Sequence, residues 1–374
     1  VPITAPDSRI KEGGVAKSTS AALAESWDVR PTQSCILSAF LQHYPEMSVL
    51  LLSHTEVAAL LPMGECIPLM REALLSLAGG LAHQPLRTVV RPPGAAGVMG
   101  LMPAYASGPR PAFGLKAICV FPGNPARGKD SHQGAVLLFG AESGELLAVI
   151  NASAVTAIRT AAVSGVATSA LAREDAGDLA IIGAGVQARS HVEAMSHARR
   201  VRRCRVASRR FESALRLADE LKGRYAFPVE AVPTVEDALR GADLIVTATS
   251  SAEAVVRREW VSDGAHLNAV GSSTPNAREL DAGLLAASRL FVDRLESAVN
   301  EAGDYLRAAQ EGAVGPEHIR AELGEVLGGT KPGRTSADEI TLFKSLGLAV
   351  EDLAAAEYLY RKSKETGAGT WVRF

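Results

Sequence analysis

The spacing of apolar and polar positions divides the chain into two patterns. Near its start, Ser53-His54-Thr55-Glu56 places a serine at a cap position and a glutamate three residues later, a capping box that predicts a short helix. A second helix is expected over 67–77. Short apolar and β-branched runs follow at 88–90, 98–102, 113–121, 134–139 and 146–151, with Pro92-Pro93-Gly94 and Ser143-Gly144 as turns between them. This portion reads as helices plus an antiparallel sheet, and 156–171 as an alanine-rich helix leading out of it. From Asp178 the rhythm changes to strand–helix alternation. Strands are expected at 179–182, 203–207, 229–231, 244–248, 266–270 and 290–292, and helices at 187–198, 211–221 and from 235. That alternation predicts a parallel sheet covered by helices. Beyond about residue 310 the chain is expected to be helical, with 349–360 returning to pack on the first portion.

Composition narrows the picture. A chain of 374 residues suggests two domains. A formal net charge of −2 offers no field to attract nucleic acid, so no such partner is expected. The longest uninterrupted apolar stretches, such as 117–121 and 135–139, are strand-length, and no membrane association is expected. Cys35, Cys66, Cys119 and Cys204 are far apart with no CxxC among them. A disulfide framework, a zinc site or any other metal is therefore not expected, and a reducing, cytoplasmic setting fits. Residues 1–46 are rich in Ser, Thr, Ala and Pro without periodicity, and are read as a poorly ordered extension or leader. Met47-Ser48-Val49-Leu50-Leu51-Leu52 resembles a start residue followed by a first strand.

The strongest chemical signal is Leu179-Ala180-Ile181-Ile182-Gly183-Ala184-Gly185-Val186-Gln187-Ala188, a GxGxxA pattern between an apolar strand and a helix. Gly183 suits the tight turn, Gly185 lets the backbone approach a pyrophosphate, and Ala188 allows close helix–strand packing. Val186 and Gln187 begin the helix, whose free N–H groups and dipole favour phosphate. A Rossmann dinucleotide-binding domain follows. NAD sites usually hold the ribose 2′-hydroxyl with Asp or Glu after the second strand. Here the run is Ser208-Arg209-Arg210. Two arginines suit a 2′-phosphate, so NADP(H) is expected to be preferred, with NAD(H) possible.

Four further segments resemble the ornithine cyclodeaminase/mu-crystallin family. They are Gln84-Pro85-Leu86-Arg87-Thr88 with Gly100-Leu101-Met102-Pro103-Ala104-Tyr105, Gly114-Leu115-Lys116 with Ser131-His132-Gln133-Gly134, Ala157 through Ser164, and Phe343 through Asp352. With the Gly183 turn and His266-Leu267-Asn268-Ala269-Val270-Gly271, the likeness runs from about Met47 to Tyr360. The resemblance implies an α/β enzyme with a Rossmann domain over 173–315. A mixed α+β substrate and dimerisation domain would cover 47–172, joined by C-terminal helices 316–374. It implies a homodimer, and an α-amino acid or cyclic imino acid as ligand. It assigns Arg87, Lys116 and Arg159 to the substrate carboxylate, where a planar guanidinium can bind in two-pronged fashion. Lys116 could instead polarise or protonate near the reacting nitrogen. The same resemblance assigns Ser131, His132, Thr160, Thr247, Ala248, Thr249, Val270 and Ser345 to the cofactor.

One departure bears on the reaction. Ornithine cyclodeaminases of the family carry an aspartate acid/base shortly after the Asn-Ala-Val-Gly run, whereas this chain has Ser273. A hydroxyl is not a carboxylate base near neutral pH. Ser273 is similar to the serine of mu-crystallin-like ketimine reductases and is expected at the substrate. Reducing a preformed cyclic ketimine carboxylate, giving proline or pipecolate, needs no base to begin an amine oxidation. Three alternatives stay open. One is an amino-acid cyclodeaminase or dehydrogenase in which Asp263 or Glu279 replaces the missing acid. Another is an imine-forming biosynthetic enzyme. The third is a non-catalytic NADP(H)- and small-ligand-binding protein.

Overall fold

A computed structural model describes residues 48–374, and the expected leader 1–46 lies outside the described residues. Ser53 caps the helix His54–Leu60, and Glu56 completes the capping box. The next helix is Met63–Ala78, longer than expected, because Pro62 provides the cap and Pro68 sits inside without breaking it. A mixed sheet follows, in the order Thr370–Arg373, Ser48–Leu52, Leu146–Asn151, His132–Gly140, Ala112–Val120, Val98–Ala106 and Ala82–His83, with Thr88–Val90 also paired to Val98–Ala106. Only Ser48–Leu52 and Leu146–Asn151 run parallel in it. Strand alternation decides what each face carries. Along Ala112–Val120 the even positions face inward, where Lys116 stands between Gly114 and Ile118. The helix Ala349–Thr366 covers that inner face. The odd positions face outward, where Phe113 is exposed and Leu115, Ala117 and Cys119 are half-buried, and Met99 of the neighbouring strand, opposite Cys119, is exposed on the same side.

The second sheet has eight parallel strands, ordered Val229–Ala231, Arg203–Ala207, Asp178–Ile182, Leu244–Thr247, His266–Ala269, Ile340–Lys344, Ser288–Val292 and Ile319–Glu322. Two of these correct the expectation of a helical region beyond 310. Ile319–Glu322 forms the edge, and Ile340–Lys344 enters between His266–Ala269 and Ser288–Val292. All five residues of Ile340–Lys344 are buried, and a short apolar run buried on both faces has no period to reveal it as a strand. The assignment of 316–374 to the first domain is corrected accordingly. Within that span only Ala349–Thr366 and Thr370–Arg373 return to the mixed sheet.

The helix Ala152–Leu171 joins the sheets. Asn151 caps it, its side chain accepting from the Ala154 N–H at 3.0 Å, so it begins four residues before the expected start. It has 20 residues, and an 18-residue window of it has a mean hydropathy of 1.3, enough for a membrane span by length and composition, but 78% of that window is buried inside the protein. It packs on strands of both sheets. One apolar core therefore runs from Leu50 and Val136 through Val163 to Val206 and Phe343. A second core covers the other face of the parallel sheet.

Candidate active site

The glycine turn lies at the C-terminal edge of the parallel sheet, where ligands of such sheets bind. Gly183 adopts φ +121°, and a Cβ there would come within 2.4 Å of the Ala248 carbonyl oxygen. Only glycine fits that approach. An added Cβ at Gly185 meets nothing within 4 Å, so the residue borders open space. The helix Val186–Ala198 begins there without a side-chain cap, leaving its first N–H groups for a ligand. Ala188 is fully buried against the strand. Gln187 donates to the Thr156 carbonyl at 3.3 Å, while its Oε1 is buried without a partner. These features fit a dinucleotide pyrophosphate. After the second strand, Ser208 Oγ donates to the Arg210 carbonyl at 2.7 Å. Arg209 and Arg210 are exposed, and neither guanidinium has a hydrogen bond or ion pair among the described residues.

The loops after the next strands are tied together from behind. Thr247 Oγ1 donates to Glu279 at 2.7 Å, and the N–H groups of Thr249 and Gly271 donate to the same carboxylate at 2.7 Å each. Ala248 therefore stands between Gly183 and this anchor. Val270 and Ser345 lie at the same edge, with the Ser345 N–H donating to the Ala269 carbonyl at 3.0 Å. Glu279 is fully buried, and burial holds its carboxyl above the usual range against the pull of Lys344. Its oxygens are occupied by loop donors, so it does not suit the acid/base role considered for it. Asp263 does not suit that role either. It is exposed, pairs with Arg258 at 2.6 Å and precedes the strand His266–Ala269, at the opposite end of the sheet.

Arg87, Lys116 and Arg159 come from three separated segments and meet in one cluster. Arg87 Nη2 donates to the carbonyls of Leu346 and Gly347 at 2.9 and 3.1 Å, and its Nε pairs with Glu301 at 3.0 Å. Arg159 pairs through Nη1 with Glu351 at 2.7 Å and through Nε with Asp352 at 3.1 Å. The other oxygen of Asp352 lies 2.6 Å from Lys116 Nζ. Gly347, at φ +81°, lets the guanidinium pass, since a Cβ there would stand 2.6 Å from Arg159 Nη1. Its own N–H and that of Leu346 are held by the buried Asp293. A narrow cleft bordered by Pro85, Arg87, Met102, Ser297, Gly347 and Ala349 opens beside the cluster. A separate cavity of about 320 Å³, lined by Pro275, Asn276, Leu306, Arg307 and Gln310, contains none of these cations.

The two-pronged grip expected for Arg159 is thus spent on Glu351 and Asp352. Nη2 of Arg159 and Nη1 of Arg87 carry no hydrogen bond among the described residues and can take a substrate oxygen. Burial pushes Lys116 down to about 8, Arg159 pushes the same way, and Asp352 opposes both. Burial would also lower Arg159, but Asp352 and Glu351 outweigh it and hold the guanidinium above its usual range. Burial raises Glu351 to about 7 despite Arg159. His132 is depressed, first by burial and then by the charges of Lys116 and Arg159, and its Nδ1 lies 3.0 Å from Ser131 Oγ. Thr160 is buried beside Arg159 on the same helix. Ser273 is half-buried in the loop between Gly271 and Glu279.

Sequence reasoning missed the acidic half of the cluster. Glu351 and Asp352 were legible as adjacent charges in the otherwise apolar run 346–356, while Asp293 and Glu301 carry no local signal. Comparisons with known proteins agree on the architecture. Ketimine reductase mu-crystallin of Mus musculus is 41% identical over 297 residues, 79% of this chain and 90% of that protein. The structure of Thermococcus litoralis Delta(1)-pyrroline-2-carboxylate reductase, in complex with NADH and L-proline, matches with a TM-score of 0.84 and 37% identity, covering 87% of this chain and 100% of that one. An archaeal alanine dehydrogenase dimer with bound NAD matches with a TM-score of 0.82 and 34% identity, covering 88% of this chain and 100% of that one. The model of the ornithine cyclodeaminase/mu-crystallin family matches residues 47–367, and the chain belongs to that family.

Proposed function

We propose that the protein is an NAD(P)H-dependent reductase of cyclic ketimine carboxylates, forming proline from Δ1-pyrroline-2-carboxylate or pipecolate from Δ1-piperideine-2-carboxylate. The observation that carries this reading is the buried Lys116–Asp352 pair at 2.6 Å, beside two arginines and with Ser273 where a carboxylate base would be needed for amine oxidation. The free nitrogens of Arg87 and Arg159 bind the substrate carboxylate and fix the adjacent carbon, converting an encounter into a positioned event. Bound NAD(P)H supplies a hydride to the imine carbon. Lys116 Nζ, an ammonium at neutral pH with a value of about 8, donates the proton that the ring nitrogen must gain. Asp352 keeps that ammonium charged and aimed. Ser273 contributes a hydroxyl at the substrate but no base.

The finer cofactor choice belongs to the same proposal. Arg209 and Arg210, exposed and without a partner among the described residues, favour NADPH by offering charge-assisted hydrogen bonds to a 2′-phosphate. NADH is the weaker substitute. Ser131, His132 and Thr160 are proposed to line the nicotinamide end. A homodimer is proposed through the outer face of the mixed sheet, where Val89, Val90, Met99 and Phe113 are exposed, and the relative solved as a dimer supports it. A reducing, cytoplasmic setting is likewise proposed, in keeping with the free thiols of Cys66, Cys119 and Cys204. Supplying Δ1-pyrroline-2-carboxylate and NADPH tests the function. Proline should appear in equal amount to the cofactor oxidised, and no proline would refute the reading.

A further inference from the structure

Glu279 is fully buried and receives three donors on two oxygens. Oε1 accepts from the Thr249 N–H, and Oε2 accepts from the Gly271 N–H and the Thr247 hydroxyl. The two loops it joins leave the central strands Leu244–Thr247 and His266–Ala269. They approach so closely that a Cβ at Gly271 would fall 2.1 Å from the Thr249 carbonyl oxygen. Glu279 is itself anchored from behind. Asp304 Oδ1 accepts from the N–H groups of Glu279 and Leu280 at 2.7 and 3.0 Å, and Asp304 Oδ2 pairs with Lys344 at 3.0 Å. Lys344 Nζ then donates to the Ala269 carbonyl at 3.2 Å, closing the network on the strand that carries the second loop. Asp304 and Lys344 are both almost fully buried.

The place of these loops gives the network a purpose. The glycine turn at Gly183 takes the pyrophosphate, and the run Ser208–Arg210 takes the adenosine side. The loops after Leu244–Thr247 and His266–Ala269 lie on the other side of the turn, on the strands leading toward Ile340–Lys344 and the clamp at Gly347. We infer that Glu279 is the positioning residue for the nicotinamide half of the cofactor, its carboxylate setting the spacing of the Thr247–Thr249 and Val270–Gly271 loops. The inference rests on the proposed cofactor binding. It requires a carboxylate specifically. In either orientation a glutamine would turn its NH₂ donor onto one of two backbone N–H donors, which cannot rotate away. A buried donor left facing a donor loses its bond and its hydration together.

The test separates the two halves of the cofactor by binding, without turnover. Dissociation constants are measured for NADPH and for 2′-phosphoadenosine 5′-diphosphate, which lacks the nicotinamide nucleoside, on the full chain and on Glu279→Gln. The inference expects NADPH to weaken by roughly tenfold or more while the fragment changes by less than about threefold. Equal losses for both ligands, or no loss beside a lowered melting temperature, would overturn it. Should Glu279→Gln fail to fold, Glu279→Asp is read in its place. It keeps two acceptors at shorter reach and should show the same split in milder form, and an even loss there overturns the inference as well. Kinetics add a second reading, because misplacing the hydride donor should raise the deuterium isotope effect from [4-²H]NADPH, whereas fewer folded molecules would leave it unchanged. If the unmodified protein binds neither ligand, the cofactor assignment itself falls and takes this inference with it. Binding of both ligands without imine turnover would instead strike only the proposed reaction.

Discussion

Replacing Asp352 by asparagine removes the one carboxylate among the described residues that touches two of the three clamp cations. Its oxygens lie 2.6 Å from Lys116 Nζ and 3.1 Å from Arg159 Nε, and all three side chains are almost fully buried. Removing one partner from such a pair generally costs about 3–5 kcal/mol when the other charge must remain. Lysine has a cheaper route, which is to lose its proton. Lys116 already titrates at about 8 rather than 10.5, with Asp352 among the groups holding it up. Without that anion the value should fall by at least about one pH unit, equivalent to ~1.4 kcal/mol. The proton donor is the charged form, so activity is lost as pH rises through this value. The alkaline limb of kcat/KM for the cyclic imine should therefore move to lower pH in Asp352→Asn, with about a fivefold loss or more near pH 8, about tenfold or more at higher pH, and little loss near pH 6. Stability runs with the opposite sign. Because the folded value is depressed, the unfolded chain binds more protons between about 8 and 10.5. The contribution of Lys116 to stability thus rises with pH across that window and is lost as pH falls through it. In the variant the window should extend downward. A pH profile that drops uniformly with its limb unmoved would refute the assignment of Lys116 as the proton donor held by Asp352.

The other substitutions probe separate parts of the site. Arg209→Ala should raise the Kd of NADPH about tenfold or more, for the loss of a charge-assisted bond of ~1.5–3 kcal/mol, and should leave NADH nearly unchanged; equal losses would remove the 2′-phosphate role. Arg159→Lys keeps the charge but cannot reach Glu351, Asp352 and a substrate oxygen together, so kcat/KM should fall at least about tenfold, and an unchanged value in a folded protein would show that the arginine does not hold substrate. Gly347→Ala forces an L side chain to φ +81° and a Cβ against Arg159. It should cost ~1–2 kcal/mol of unfolding free energy from backbone strain alone. It should also lower kcat/KM, and a variant as stable and active as the parent would contradict the tight passage described here.

Much of this site was legible because its signals are local. A strand, a glycine turn and a helix occupy consecutive residues from Asp178 to Ala198, and the missing acid after the second strand is read directly at Ser208-Arg209-Arg210. The cap at Asn151 was missed because an alanine-rich start gives no sharp onset of amphipathic period. Ile340–Lys344 was missed for a related reason, being apolar throughout and buried on both faces. The acidic half of the clamp is a matter of tertiary placement. Asp352 meets Arg159 and Lys116 only because the helix Ala349–Thr366 lies across the inner face of the mixed sheet. Glu279 was read as a substitute acid because its residue type suits proton transfer, whereas two of its three donors, Thr247 and Thr249, lie at least 30 residues away in sequence and reach it only through the fold.

The proposed reaction is reduction of a ready-made cyclic imine, without oxidation of an amine by the same chain to make one. It is tested most directly by two assays run side by side on the unmodified protein, NADPH consumption with Δ1-piperideine-2-carboxylate and ammonia release from ornithine without added reductant. A missing general base typically costs ~10²–10⁴-fold. With Ser273 in place of the acid, ketimine reduction should be rapid and ammonia release should remain at background. Rapid ammonia release from ornithine, with no reduction of the ketimine, would contradict the account.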